Sequence, residues 1–436
     1  MFFKKVFVLS SGYLVNTIIS GLFGIYVTRT LGPEDKGVLT IALTSCDFMM
    51  MLFSFGIPYS AAYYIRSHPG SESFVLSQAN RIMIICGVLS LTLVMLGKGM
   101  FSSIFLGGRS IDAAIAALLI LTIIVNSGNT IIGATLVAQG NSNGYVVSTN
   151  IGTLVNIAGT IALFAAFQQY KLHAVLLGNL AGTLIAAVIM RKFFRLSYGA
   201  GGTTRPDLTP RKFYTYSIQA HTGAMAALVA KRIDLYIISH FLKTSAVGFY
   251  SVGLGLRDLA MTASKALAVL AAGDMADPGN QEDGTAQNIL KKGIIFNVAM
   301  SVVAFVGAVV IFPYFIPLAY GESFSQSVIT SIIIMGSLLP FSIAFLVGKA
   351  IQSKGKPLHQ SISNIIGAVI CAMVVWQFTE HFGIVGAAAA TIVDSTVLLI
   401  LSWMFLNLIG NWKSTHGTQE NKPHQEIPLS IKPPLR

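Results

Sequence analysis

The heptapeptide LGPEDKG, Leu31 to Gly37, has a counterpart 211 positions later in LKTSAVG, Leu242 to Gly248, and the two align without a gap. The same offset places Asp47 over Asp258. Further on, Gln139 falls over Gln352 (offset 213), Asn150 over Asn364 (214) and Leu172 over Ile384 (212). A slowly drifting period of this length, held across separate segments, implies two structurally similar halves.

Both halves are apolar. Hydrophobic residues make up 54% of the 436-residue chain, charged residues only 11%, and mean hydropathy is +0.70. A soluble domain carries roughly 25% charged residues. Windows of about 20 apolar residues, the length that crosses hydrocarbon, recur at 6–28, 38–62, 76–97, 113–138, 145–167, 172–190, 213–240, 246–271, 293–316, 325–348, 358–379 and 383–409. The period-two alternation of a barrel is absent. The expected fold is an all-α polytopic membrane protein of about 12 transmembrane helices, in two pseudo-symmetric six-helix lobes around a central cavity. Transporters use such repeats to expose a central site alternately to each side.

The net charge of +12 invites a nucleic-acid reading, but its placement argues against one. With the N-terminus inside, 19 of the 29 Lys and Arg fall on inner loops and tails, six on outer loops and four within helices. That is the positive-inside bias, and it predicts both termini of a multi-pass protein in the cytoplasm. The basic start followed by a long apolar run reads as a retained first helix, since no small-residue cleavage site follows it. Cys46, Cys86 and Cys371 sit in unrelated apolar helices, as small buried hydrophobes rather than a disulfide or metal framework.

The expected organisation is an N-terminal lobe over 1–192, a basic cytoplasmic connector over 193–212, a C-terminal lobe over 213–410 and a disordered cytoplasmic tail over 411–436. The connector follows from the Gly- and Pro-containing stretch RKFFRLSYGAGGTTRPDLTPRK, Arg191 to Lys212. Pro58, Pro313, Pro317 and Pro340 are expected bend points. No soluble unit remains for catalysis or nucleotide binding, and no catalytic constellation or metal-ligand spacing is recognisable, so no enzyme activity and no metal or cofactor are expected.

Several motifs carry a family resemblance. Arg29 to Glu34, closing at Gly37, resembles the R-x-L-G-P-x-x-x-G signature of bacterial polysaccharide flippases in the multidrug/oligosaccharidyl-lipid/polysaccharide exporter superfamily. Phe55 to Pro58, Arg232 to Asp234, Val247 to Ser251, Gln352 to Lys356 and Gly383 to Thr391 resemble further stretches of that family, in family order over residues 3–409. The resemblance implies two six-helix lobes in a V, translocating polyprenyl-diphosphate-linked oligosaccharide for O-antigen, capsule or exopolysaccharide assembly. It leaves room for a polysaccharide polymerase as partner of a monomer. Peptidoglycan-precursor flippases and drug–cation antiporters share these lobes; the former have two extra helices.

A diphosphate cannot cross hydrocarbon without fixed cations in a wet cavity, because desolvating it costs too much. Intramembrane charges are costly even singly, so those retained are functional candidates. The candidate cavity cations are Arg257, Lys265, Arg232, Lys231, Arg29, Arg66 and Arg81. Asp258 and Lys265, seven apart, return to within about 20° of one helix face, and Lys231 can pair with Asp234 three residues on. The competing reading is structural: an ion network locking helices, or interfacial anchors. Candidate ion-coupling groups are Asp47, Asp234, Asp258 and Asp394. By resemblance to the peptidoglycan-precursor flippases, Asp234, Asn364 and Thr391 form a sodium-site candidate, although the carboxylate those relatives carry one turn on is Ala368 here. Coupling to a proton or a sodium gradient both stay open. A drug–cation antiporter, or a non-transporting scaffold for glycan assembly, are the alternative readings.

Overall fold

The computed structural model describes residues 2–67, 72–96, 112–196, 210–276 and 284–410. Among them are the helices α1 (Phe2–Ser54), α2 (Ile57–Ser67), α3 (Glu72–Leu96), α4 (Ala113–Ala138), α5 (Ser142–Ala166) and α6 (Lys171–Leu196). The second half comprises α7 (Pro210–Phe241), α8 (Thr244–Ala276), α9 (Thr285–Tyr320), α10 (Ser327–Gly336), α11 (Leu338–Ser353) and α12 (Pro357–Leu408). The described residues contain no β-strand.

Helix number and membrane crossings coincide only after some division. The long α1 is two crossings joined at Gly32 (φ 75°, ψ 173°), and α12 is two joined at Gly383 (φ 61°, ψ −143°). Both glycines take backbone that a side chain resists. α2 continues the second crossing after a break at Phe55 (φ 47°) and Gly56 (φ 73°). Pro58 therefore sits in the first turn of α2, where its missing donor costs little. α10 and α11 form one crossing, interrupted at Ser337, because Pro340 cannot donate to the carbonyl of Gly336. α9, in contrast, continues through Pro313 and Pro317. Twelve crossings result, six in each half, as the apolar windows predict.

The outer loop expected over residues 29–37 is almost absent, since helix resumes directly after Gly32. The repeated heptapeptides meet there. A Cβ on Gly37 would lie 1.9 Å from the carbonyl oxygen of Thr244, and one on Gly248 would lie 2.0 Å from that of Pro33. Thr244 is the repeat counterpart of Pro33 at the same offset of 211. The two contacts are thus images of each other across a pseudo-twofold axis, and bare glycine lets the backbones touch.

Toward the opposite end of the molecule, α2 meets the start of α7. Ser60 donates to the carbonyl of Phe213 (3.1 Å) and shares a 2.7 Å hydrogen bond with Ser217. Tyr63 stacks on Tyr216 at 4.7 Å between centroids. The cores are exchanged accordingly: Phe213 packs into the cluster of the first lobe, and Ile41 into a cluster of the second. Both ends of the expected connector, 193–196 and 210–212, are helical; the rest of it and the tail over 411–436 lie outside the described residues.

Candidate functional site

α7 and α8 are antiparallel and separated by only Leu242 and Lys243. With a rise of about 1.5 Å per residue, Lys231 lies about 15 Å from the end of α7 that adjoins α8, and Asp258 about 21 Å from the facing end of α8. In hydrocarbon about 30 Å thick, both are deep. Asp258 Oδ2 is 3.3 Å from Arg232 Nη2 and 3.6 Å from Lys231 Nζ, while Oδ1 is 3.9 Å from Lys265 Nζ. Three cations therefore share one carboxylate. The expected pairing of Asp258 with Lys265 is present, but Lys231 does not pair with Asp234. Asp258 sits in the adjacent helix within reach of Lys231, whereas Asp234 is taken by its own neighbours. Tyr250 Oη donates to Asp234 Oδ2 at 2.6 Å, and the amide of Leu235 to Oδ1 at 2.8 Å.

Of the cluster, Asp258 lines a cleft of about 450 Å³ between the first crossing and α8, with Asn16, Lys36, Ser251 and Tyr320 among others. The clustered side chains are about a quarter to two-fifths exposed. Asp47, exposed on the second crossing, lies in electrostatic range of Arg232 and Lys231.

Arg257, next in sequence to Asp258, turns the other way. It is only 6% exposed, donates from Nη1 to Ser337 Oγ (3.1 Å) and lies 5.2 Å over the Phe341 ring, with Nε unpartnered and buried. One shared group of Arg257, Asp258 and Lys265 is therefore not what forms, because a 100° step per residue carries Arg257 into the second lobe. There it lines a cavity of about 300 Å³ with Lys231, Asp234, Lys349, Asn364 and Asp394. Lys231 belongs to both settings and joins them.

The sodium-site candidates Asp234, Asn364 and Thr391 do converge on this cavity, with Asp394 beside them. Each is already engaged: Gln360 Nε2 donates to Asn364 Oδ1 (2.9 Å), and Thr391 Oγ1 donates to the carbonyl of Ala388 (2.7 Å). No group of three or more His, Cys, Asp or Glu suited to a metal occurs among the described residues.

The remaining cations are scattered. Arg29 Nη1 donates to the carbonyl of Leu318 (2.9 Å), an exposed tie between the lobes at the outer end. It lines neither lobe cavity nor the cleft. Arg81 is exposed on α3, again outside all three. The side chain of Arg66 lies outside the described residues.

A profile of the family described as "Polysaccharide biosynthesis protein" matches residues 2–272. The chain belongs to that family. Over 227 residues, 52% of this chain, it is 22% identical to the "Probable low-salt glycan biosynthesis flippase Agl15" of Haloferax volcanii. The chain's match spans about half the length of that curated relative, 48%. Among solved structures it resembles an inward-facing MATE-family multidrug transporter (TM-score 0.71, 14% identity, 90% of this chain and 94% of that one). It also resembles the lipid II flippase MurJ in an inward closed conformation (TM-score 0.67, 14% identity, 91% and 87%). At that identity the likeness establishes the fold alone, a multi-pass bundle of helices in two halves.

Sequence reasoning missed one feature of this family member entirely. The largest cavity described, about 700 Å³, lies within the first lobe between α4, α5, α6 and the first crossing. Asn16, Asn126, Asn129, Asn156 and Asn179 line it with threonines and Tyr145, and it contains no charged residue. The available signal was asparagine recurring along the fourth to sixth apolar windows beside glycines. Gly152 and Gly182 make the enclosing walls possible, for a Cβ on either would meet the other's carbonyl oxygen, at 2.7 and 2.4 Å.

Proposed function

We propose that this protein translocates polyprenyl-diphosphate-linked oligosaccharide across the bacterial cytoplasmic membrane by alternating access, for O-antigen, capsule or exopolysaccharide assembly. The observation that carries this reading is the group of Lys231, Arg232 and Lys265 around Asp258, part-exposed deep in the helices, with Asp258 on the inter-lobe cleft and Lys231 on the second-lobe cavity. A phosphate entering the cleft would exchange one carboxylate for a doubly charged partner, while the lipid tail stays in the bilayer. The lone carboxylate keeps the cations together in the empty state, limiting the cost of their mutual repulsion. Arg257 and Lys231 extend the positive field into the second lobe, where a drug–cation antiporter would want anionic walls.

Family membership and the glycan-biosynthesis flippase relative support the same reading. Asp47, Asp234, Asp258 and Asp394 are the acids through which a proton or sodium gradient would couple. Both termini are cytoplasmic in this reading, and a polysaccharide polymerase is the partner to seek for a monomeric carrier. Deletion of the gene tests the proposal. Polyprenyl-diphosphate oligosaccharide should accumulate on the cytoplasmic face and surface glycan should be lost. Intact surface glycan, with raised drug sensitivity, would overturn it in favour of an antiporter.

A further inference from the structure

The asparagine-lined cavity of the first lobe has no role in holding a diphosphate, because none of its lining residues carries a charge. We infer that it is a binding site for the uncharged glycan portion of the lipid-linked substrate; this rests on the translocation proposed above. Carboxamides present a donor and an acceptor on one planar group, which suits the alternating hydroxyl and acetamido groups of a sugar. Burying polar amides in a membrane lobe is costly without partners.

Some of these amides have protein partners. Asn129 Nδ2 donates to the carbonyl of Thr183 (2.9 Å), and Asn156 Oδ1 accepts from Thr160 Oγ1 (3.2 Å). The first fastens α4 to α6, and the second lies within α5. The side chains of Asn126 and Asn179 make no such bond among the described residues, though both line the cavity. Asn129 Oδ1 is buried without a partner.

Two further features fit a sugar. Gly133 lets the Tyr145 ring lie against α4, since a Cβ there would come within 2.7 Å of Tyr145 Cε2. Tyr145 lines the cavity beside the asparagines, an aromatic group of the kind that can meet the C–H face of a pyranose. The volume, about 700 Å³, is in the range of pockets that enclose small ligands rather than single waters.

Continuity places the site correctly for one ligand that is charged at one end. Asn16 lines both the first-lobe cavity and the inter-lobe cleft that contains Asp258. Its Oδ1 accepts from Thr153 Oγ1 (3.1 Å) on the cavity side and from Ser20 Oγ (3.0 Å) within its own helix. A diphosphate held by the cation group would therefore have its sugar directed past Asn16 into the amides.

The test uses the full chain, expressed in its own host and purified in mild detergent with the lipids it retains. Those lipids are extracted, and the ratio of glycan-bearing to bare polyprenyl diphosphate is read by mass spectrometry. Asn126→Leu and Asn179→Leu, each monodisperse on gel filtration, should lower that ratio at least about five-fold while bare polyprenyl diphosphate is retained. Lys231→Gln with Arg232→Gln should lose both lipids. An unchanged ratio in both asparagine variants would overturn the assignment, as would equal loss of the two lipids. Absence of any polyprenyl diphosphate from the unaltered protein would instead overturn the translocation proposal on which the assignment depends.

Discussion

The two lobes share a topology and a repeat, yet their cavities differ in kind. The first-lobe cavity is larger, about 700 against 300 Å³, and is lined by amides and hydroxyls with no charge. The second-lobe cavity contains Lys231, Asp234, Arg257, Lys349 and Asp394. Duplication preserved the backbone contact at the outer end, where Gly37 and Gly248 play matching parts, and left the interiors to diverge. The symmetric positions are backbone contacts between the lobes, and the asymmetric ones line the cavities to which the proposal assigns the ligand.

That contrast breaks most easily at Asp258. Replacing it with alanine leaves Lys231, Arg232 and Lys265 to repel one another. Allowing for their partial exposure, stability should fall by about 2–3 kcal/mol, read as a lowered Tm in detergent. Adding Lys265→Gln should restore part of the loss. Failure to restore any would mean that Asp258 matters for packing rather than charge.

Next in size are the glycines, which test the symmetric half of the comparison. Gly37→Ala and Gly248→Ala each force a methyl onto a backbone carbonyl and should destabilise by about 2 kcal/mol, to similar extents in the same thermal assay. Very different losses would show that the outer contact is not equivalent in the two lobes. Arg29→Gln removes the exposed bond to the Leu318 carbonyl and should cost about 1 kcal/mol. A larger effect would give Arg29 a role beyond that tie. Smallest is Asn126→Leu, which exchanges an amide without a described partner for an apolar group. It should change stability by under about 1 kcal/mol and act on retained glycan instead.

The sequence reading succeeded where a physical requirement leaves a strong mark. Crossing hydrocarbon demands long apolar runs, so all twelve crossings were legible, even the two pairs that Gly32 and Gly383 join into single long helices. Intramembrane charge is equally conspicuous, so Lys231, Arg232, Asp258 and Lys265 were found. Their wiring was not. Whether Lys231 reaches Asp234 or Asp258 depends on how α7 packs against α8, and one helix's periodicity says nothing about its neighbour. The division between Arg257 and Asp258 follows from the same packing. The asparagine cavity left the weakest trace, because uncharged polar residues also serve as ordinary helix fasteners, as Asn129 does between helices and Asn156 within one. Only three-dimensional convergence separates the two uses.

In the proposed cycle the clustered cations receive the phosphate of a lipid-linked glycan during its passage. The most direct measurement reconstitutes the protein in vesicles loaded with polyprenyl-diphosphate-linked oligosaccharide from its own host. Transfer of glycan between leaflets is followed by its accessibility to an added glycosidase. The unaltered protein should accelerate transfer, and Lys231→Gln with Arg232→Gln should bring it down to the rate of protein-free vesicles. Transfer at an undiminished rate by that folded double variant would contradict the account.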